Sequence, residues 1–283
     1  MSETFLSELT GSFSTPSAGN PTVAMVEAAY KHHNLNFRYL NCEVLPNDLE
    51  NAVLGARAMN WAGFNLSIPH KVSVIKYLDG LGESAQIMGA VNCVVNQDGK
   101  FIGENTDGKG FLQAFKQVAS PNGKKIAILG AGGAARAIAV ELALDGAKEF
   151  AVINRDTKRG TELTKLLITK LNVNAELIPW SAKFKIPANI DVLINATSVG
   201  MADSGSYDLD IDLATITSNM IVADVIVNPP QTNLLKSAAK TGARTIDGLG
   251  MVVNQAVIAV KYWTKFDVDP NSMHAELQRV LNL

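Results

Sequence analysis

Cysteine, histidine and aromatic residues are all scarce in this 283-residue chain: two cysteines, four histidines and 6% aromatics. Cys42 and Cys93 cannot build a disulfide framework and show no metal-ligand spacing, and the histidines are not grouped with acids or cysteines, so no metal is expected. No secretory signal is expected either, since Glu3 and Glu8 stand where positive charge and then an apolar stretch would be needed. No run approaches the roughly 18 apolar residues of a membrane span. The best candidates, MIVADVIV and MVVNQAVIAV, are broken by Asp224 or by Asn254 and Gln255. A formal charge of −2 gives no electrostatic reason to bind nucleic acid or an anionic membrane. The expectation is a cytoplasmic, reduced, metal-free protein with small-molecule partners, no nucleic acid and no membrane.

Hydrophobic residues make up 47% of the chain, enough for one or two soluble domains. TFLSELTG reads as a first strand, and Asn20-Pro21 as a helix N-cap followed by proline, opening the helix TVAMVEAAYKHHNL. FRYLNCEV and WAGFNLSIP read as strands, NDLENAVLGARAMN and HKVSVIKYLDGL as helices. A second series runs KKIAILG, a glycine turn, the helix AARAIAVELALDG, EFAVIN, a helix through RGTELTKLLITKL, IDVLINAT, MIVADVIV and the helix TNLLKSAAKTG. This alternation predicts an α/β fold of two domains, an N-terminal α/β substrate domain and a doubly wound, Rossmann-type dinucleotide-binding domain. The expected division is residues 1–110 with 253–283, and residues 111–252. GLGMVVNQAVIAVKYW is apolar enough for a core helix or for the interface of a homodimer.

ILGAGGAARA follows an apolar run and opens an amphipathic helix, the context in which a glycine fingerprint holds a dinucleotide. Gly130 allows the tight turn, Gly132 lets backbone N–H groups approach a pyrophosphate, and Gly133 and Ala135 allow close packing, with Ala131 and Ala134 in the same turn. The next strand ends in INRDTKR, where an NAD site would usually carry an acid for the ribose 2′-OH. Asn154 stands there instead, beside Arg155, Lys158 and Arg159, which favours the 2′-phosphate of NADP over NAD. Asp156 argues the other way, as a carboxylate that would repel that phosphate. Solvated charges at a helix start would look the same.

Two stretches combine reactive groups with turn formers. NLSIPHK carries Asn65, Ser67 and Lys71, and GENTDGKGF carries Asn105 and Asp107 in what reads as a glycine-bounded turn. A lysine whose ammonium is oriented by a carboxylate can act as a proton-transfer pair at a hydroxyl whose carbon exchanges a hydride. A surface lysine and an ordinary turn aspartate would also satisfy the sequence.

FNLSIPHK, GAVNCVV, GENTDGKGF, ILGAGGAARA, INATSVGM, NPPQTNLL and GLGMVVNQA, in that order, resemble the shikimate/quinate dehydrogenase family. The resemblance implies a two-domain enzyme of aromatic amino-acid biosynthesis or quinate use that moves a hydride between NAD(P) and a ring hydroxyl. It makes Lys71 and Asp107 the catalytic pair and matches Asn65, Ser67, Asn92 and Gln255 to substrate-binding positions. It also places Thr197, Ser198 and Met201 beside the nicotinamide, with Gly248 and Met251 near it.

Two departures fall at the end of the site that would hold the substrate carboxylate. The family's Ser-x-Ser pair is missing from the longer stretch GSFSTPSAGNPT. Counting back from Tyr30 puts Asn20 and Thr22 there, and aligning on Asn20-Pro21 puts Ala18 and Asn20 there. Val227 replaces the usual tyrosine of Tyr-Asn-Pro. A buried carboxylate left short of donors costs roughly 1 to 3 kcal/mol or more. Three expectations follow: a shikimate or quinate dehydrogenase whose loop supplies Ser14, Ser17 or Thr22; the same chemistry on a neutral cyclitol; or a cofactor-binding regulator without turnover.

Overall fold

The computed structural model describes residues 5–202 and 208–283, and the chain divides into two units: residues 1–106 with 253–283, and residues 107–252. In the first unit the elements are β1 (Glu8–Ser14), α1 (Thr22–His32), β2 (Phe37–Glu43), α2 (Leu49–Ala58), β3 (Gly63–Leu66), α3 (His70–Ser73), β4 (Gly80–Leu81), α4 (Glu83–Met88), β5 (Cys93–Gln97) and β6 (Lys100–Glu104). They form a six-stranded sheet in the order β2-β1-β3-β5-β6-β4, with β1 parallel to both neighbours. Its core is aromatic, with Phe13 stacked on Phe64 at 4.5 Å between centroids and Phe101 edge-on to Phe64.

Three local readings change here. The stretch from Gly11 to Ser14, expected to be loop, completes β1: it is paired on both edges, and its consecutive buried residues show that both faces are covered, so no alternation is needed. Ser12 donates to Asn41 Oδ1 at 2.9 Å and the nearby Thr10 hydroxyl lies 2.9 Å from that of Tyr30, whereas the buried Ser14 hydroxyl has no hydrogen-bond partner among the described residues. HKVSVIKYLDGL is not one helix but a single α-turn, a 3₁₀ turn over 74–77 and the short β4. An antiparallel hairpin of β5 and β6 interrupts the mainly parallel order. Asp98 and Gly99 turn it with positive φ of 53° and 84°, the two-residue turn that an Asp-Gly pair favours.

The second unit contains α5 (Thr106–Lys116, from its second residue), β7 (Lys125–Leu129), α6 (Gly133–Leu144), β8 (Glu149–Asn154), α7 (Thr157–Leu171), β9 (Asn174–Pro179), β10 (Val192–Asn195), β11 (Ile221–Asp224), α8 (Asn233–Lys240) and β12 (Arg244–Ile246). All six strands are parallel, ordered β12-β11-β10-β7-β8-β9. That is the doubly wound order of a dinucleotide-binding sheet, with its switch point between β7 and β10. Near-continuous apolar runs in β7, β8 and β10 are fully buried, as helices on both faces require. GENTDGKGF is a helix start rather than a turn, and Asp107 lies in the first turn of α5.

The chain ends in α9 (Gly248–Thr264) and α10 (Pro270–Leu281), and α10 packs on α1 within the first unit. Val253, Ala256, Ala259, Val260 and Trp263 of α9 are buried, so this is a core helix. Among the described residues no helix is long and apolar enough to cross a membrane, and no group of His, Cys, Asp or Glu could hold a metal ion.

Candidate active site

In the first unit a web of neutral side chains gathers at the ends of β1, β2 and β3. Asn20 donates to Ser12 Oγ at 3.3 Å, and its Oδ1 accepts the Thr22 N–H at 3.1 Å; the N-cap of α1 is Pro21, with no side-chain cap, rather than Asn20 as expected. Asn41 donates to the carbonyl of Asn20 at 3.0 Å, tying the loop to β2. Tyr39, with Ser12 beside its hydroxyl, donates to Asn65 Oδ1 at 2.9 Å; burial pushes this phenol well above its ordinary range, so it stays protonated. Asn65 donates in turn to the Asn92 carbonyl at 3.0 Å, which leaves its amide one orientation. Asn92 accepts the Thr106 N–H at 2.6 Å, and Thr106 donates to Gln255 Oε1 at 3.4 Å. Asn20, Thr22, Asn65, Asn92 and Gln255, drawn from distant parts of the sequence, thus share one unit with Ser67.

The loop leading to α1 is held from outside. Glu43 accepts the Thr15 hydroxyl with one oxygen and the Ser17 N–H at 2.7 Å with the other. The Thr15 hydroxyl and then the Ser17 donors hold this carboxyl below the usual glutamate range, so it is an anion.

Lys71 sits on α3, which is pinned at three points. The Val91 N–H donates to its carbonyl at 2.8 Å, the His70 N–H donates to Ser67 O at 2.8 Å, and buried His70 donates through Nε2 to Val44 O at 2.8 Å. Asp107 is half-buried at the start of α5, whose preceding residue, Thr106, is held by Asn92.

A cleft of about 370 Å³ opens at the carboxyl ends of the strands in the second unit, lined by Ala131, Gly132, Asn154, Arg155, Arg159, Thr197 and Ser198 among others. Gly130 turns the chain off β7 with φ of +102°, and a Cβ there would lie 3.0 Å from the Ala196 carbonyl. At Gly132 and Gly133 a Cβ would meet nothing within 4 Å, so the space above the first turn of α6 is open. A bare helix N-terminus facing open space fits the pyrophosphate of a dinucleotide. Asp156 also lines this cleft, and its carboxylate is engaged by Arg159: its Oδ1 caps α7 by accepting the Arg159 N–H at 3.1 Å, and its Oδ2 lies 3.5 Å from Arg159 Nε. Asn154 donates to the Asp156 carbonyl at 2.7 Å.

The INATSVGM loop is organised by a buried acid that first appears only as a break in an apolar run. Asp224 accepts from the Asn195 amide at 3.0 Å and the Thr232 hydroxyl at 2.8 Å, and Asn195 accepts the Thr197 hydroxyl at 2.7 Å. Burial raises the Asp224 carboxyl above its ordinary value. Elsewhere in this unit Met251 is a core side chain, Met201 is exposed, and Gly248 allows α9 to start against the Ile226 carbonyl. Val227 is half-buried beyond β11.

Three family models match this chain in order. They are the shikimate dehydrogenase substrate binding domain over residues 19–94, shikimate/quinate 5-dehydrogenase over 113–240 and the shikimate 5′-dehydrogenase C-terminal domain over 248–278. A shikimate dehydrogenase (NADP(+)) of Desulforamulus reducens is 37% identical over 280 residues, covering 96% of each chain. The chain belongs to the shikimate dehydrogenase family. The enzyme of that name from Methanocaldococcus jannaschii is 41% identical over 249 residues, 87% of each chain. Among solved structures, shikimate 5-dehydrogenase of Listeria monocytogenes, in complex with shikimate and NAD, has a TM-score of 0.89 at 33% identity, covering 96% of this chain and 98% of that one. Ligand-free 5-ketofructose reductase of Gluconobacter sp. strain CHM43 is nearer to this family member, with a TM-score of 0.95 at 52% identity, covering 98% of this chain and 100% of that one.

Sequence reasoning passes over Tyr39, Glu43, Thr106, Asp224 and Trp180. Thr106 stands inside a quoted motif and is within reach of such reasoning. The roles of the other four depend on partners 25 to 30 residues away, as with Thr15 and Glu43.

Proposed function

We propose that this family member reduces a ketone of a neutral, polyhydroxylated sugar, of which 5-ketofructose is the model, with NADPH as reductant. The observation that carries the reading is the position of Glu43. Two donors of the loop leading to α1, the Thr15 hydroxyl and the Ser17 amide, are already directed to an anionic side chain of this chain, while the Ser14 hydroxyl just before them is buried without a partner among the described residues. A substrate carboxylate at that loop would compete with Glu43 for those donors and be repelled by it. The web of Ser12, Asn20, Asn41, Asn65 and Asn92 offers amides and hydroxyls, which suit sugar hydroxyls without a compensating cation. The greater likeness to a 5-ketofructose reductase than to the shikimate dehydrogenases supports the same reading.

Gly132 and the start of α6 would hold the cofactor pyrophosphate, and Arg155 and Arg159 its 2′-phosphate. NADPH, when bound, supplies the hydride. Lys71 donates a proton to the substrate oxygen as that oxygen becomes an alkoxide, with Asp107 as the carboxylate of the pair; one hydride and one proton convert the ketone to the alcohol. Asn65 and Asn92 hold the neighbouring hydroxyls so that the carbonyl oxygen faces Lys71. Bound substrate thereby meets its proton donor in a single orientation.

Steady-state rates over 5-ketofructose, shikimate, quinate and neutral cyclitols, each with both nicotinamide cofactors, test the reading. The expected result is the highest kcat/KM on the sugar ketone with NADPH. A clear preference for shikimate at a micromolar KM would overturn it.

A further inference from the structure

Strands β8 and β9 run parallel with Asn154 opposite Pro179, so the residues that follow each strand end, Arg155 and Trp180, emerge side by side over the cofactor cleft. The Arg155 guanidinium carbon lies 5.3 Å from the centre of the Trp180 ring. The ring is itself fixed. Its backbone N–H donates to the Asn154 carbonyl at 3.1 Å, and its Nε1 donates to the Asp210 carbonyl at 3.0 Å. The two arginines of the cleft therefore differ. Arg159 is engaged by Asp156, whereas among the described residues Arg155 has no ion-pair partner and rests on an aromatic face. A guanidinium held over a ring by the cation–π attraction loses less freedom on taking a phosphate than a long, unattached exposed side chain would.

We propose that Trp180 is a positioning residue that pre-sets Arg155 for the 2′-phosphate and so determines the choice of NADPH over NADH. It acts on Arg155 rather than on the adenine. This rests on the NADPH assignment above and says which residue enforces it.

Calorimetric titration of the full chain with adenosine 2′,5′-bisphosphate and with adenosine 5′-phosphate reads the effect without turnover. Trp180→Ala should weaken the bisphosphate about tenfold while leaving the monophosphate within about twofold. Trp180→Phe, which keeps a ring face and loses only the Nε1 donor, should restore most of the difference. In an Arg155→Ala background Trp180→Ala should add nothing, because the two residues act as one unit. Equal weakening of both ligands would make the ring an adenine wall, and additive losses would make it structural; either overturns the proposal, as does an unchanged preference in Trp180→Ala. A wild-type protein that binds both ligands equally would overturn the NADPH assignment as well, which separates the two failures.

Discussion

Glu43 accepts the backbone N–H of Ser17 at 2.7 Å, a strand-end acid holding the loop that precedes α1. The same carboxylate takes the Thr15 hydroxyl, so one side chain holds the loop at two points, beside the Asn41 bond to the Asn20 carbonyl. Glu43→Ala should raise KM for a sugar ketone about fivefold through loss of loop order, with the dissociation constant for NADPH unchanged. The folded value of this carboxyl is depressed, so the order it provides is present above the ordinary glutamate range and lost only as pH falls through the lower folded value. Initial rates of wild type and Glu43→Ala should therefore keep a constant ratio across neutral pH and converge in acid.

Lys71→Ala should lower turnover about a hundredfold or more, since general acid assistance at the substrate oxygen is lost. Binding of NADPH, measured by its fluorescence, should be retained. A near-normal rate would remove Lys71 from the reaction.

Gly130 and Gly132 should separate folding from binding. Gly130→Ala forces a side chain into φ of +102° against the Ala196 carbonyl and should lower stability by about 1 to 3 kcal/mol. At Gly132 the backbone is extended with φ of −82° and nothing lies within 4 Å of a Cβ. Gly132→Ala should change stability by no more than about 1 kcal/mol. It should nevertheless weaken NADPH about tenfold by occupying the space over the helix start. Thermal melts paired with titrations check both.

Asp224→Ala would leave the Asn195 amide, the Ile226 N–H and the Thr232 hydroxyl without their buried acceptor, and should cost about 3 kcal/mol. Because burial raises its folded value, the stability linked to its protonation is complete below the ordinary aspartate range and lost as pH rises through the folded value. Chemical denaturation across weakly acidic pH should show that slope in wild type and not in Asp224→Asn.

Much of this protein is legible without coordinates wherever a signal is local. The glycine turn after an apolar run, the apolar strands of the second unit and the seven ordered motifs depend on neighbours a few residues apart, and they indicate the dinucleotide-binding sheet and the family. The Asp98-Gly99 turn is equally local, yet the hairpin it makes lies between two motifs and is hidden by them. The stretch from Gly11 to Ser14 is different, since its being a strand follows from partners on both edges that its own residues do not announce.

Sequence by itself determined the chemistry on offer: a lysine and an aspartate in familiar settings, amides where hydroxyls are read, and a missing Ser-x-Ser pair. Only the tertiary structure decided how those groups are used. Thr15 and Ser17 gain their acceptor only when β1 and β2 pair in register and bring Glu43 beside them, and Asp156, a carboxylate at the cofactor cleft, gains a second role as the cap of α7. Arg155 and Trp180, 25 positions apart in the chain, become neighbours because two parallel strands end together. The reason is physical: residue identity sets what a side chain can donate or accept, while strand register and helix capping decide which partner reaches it first.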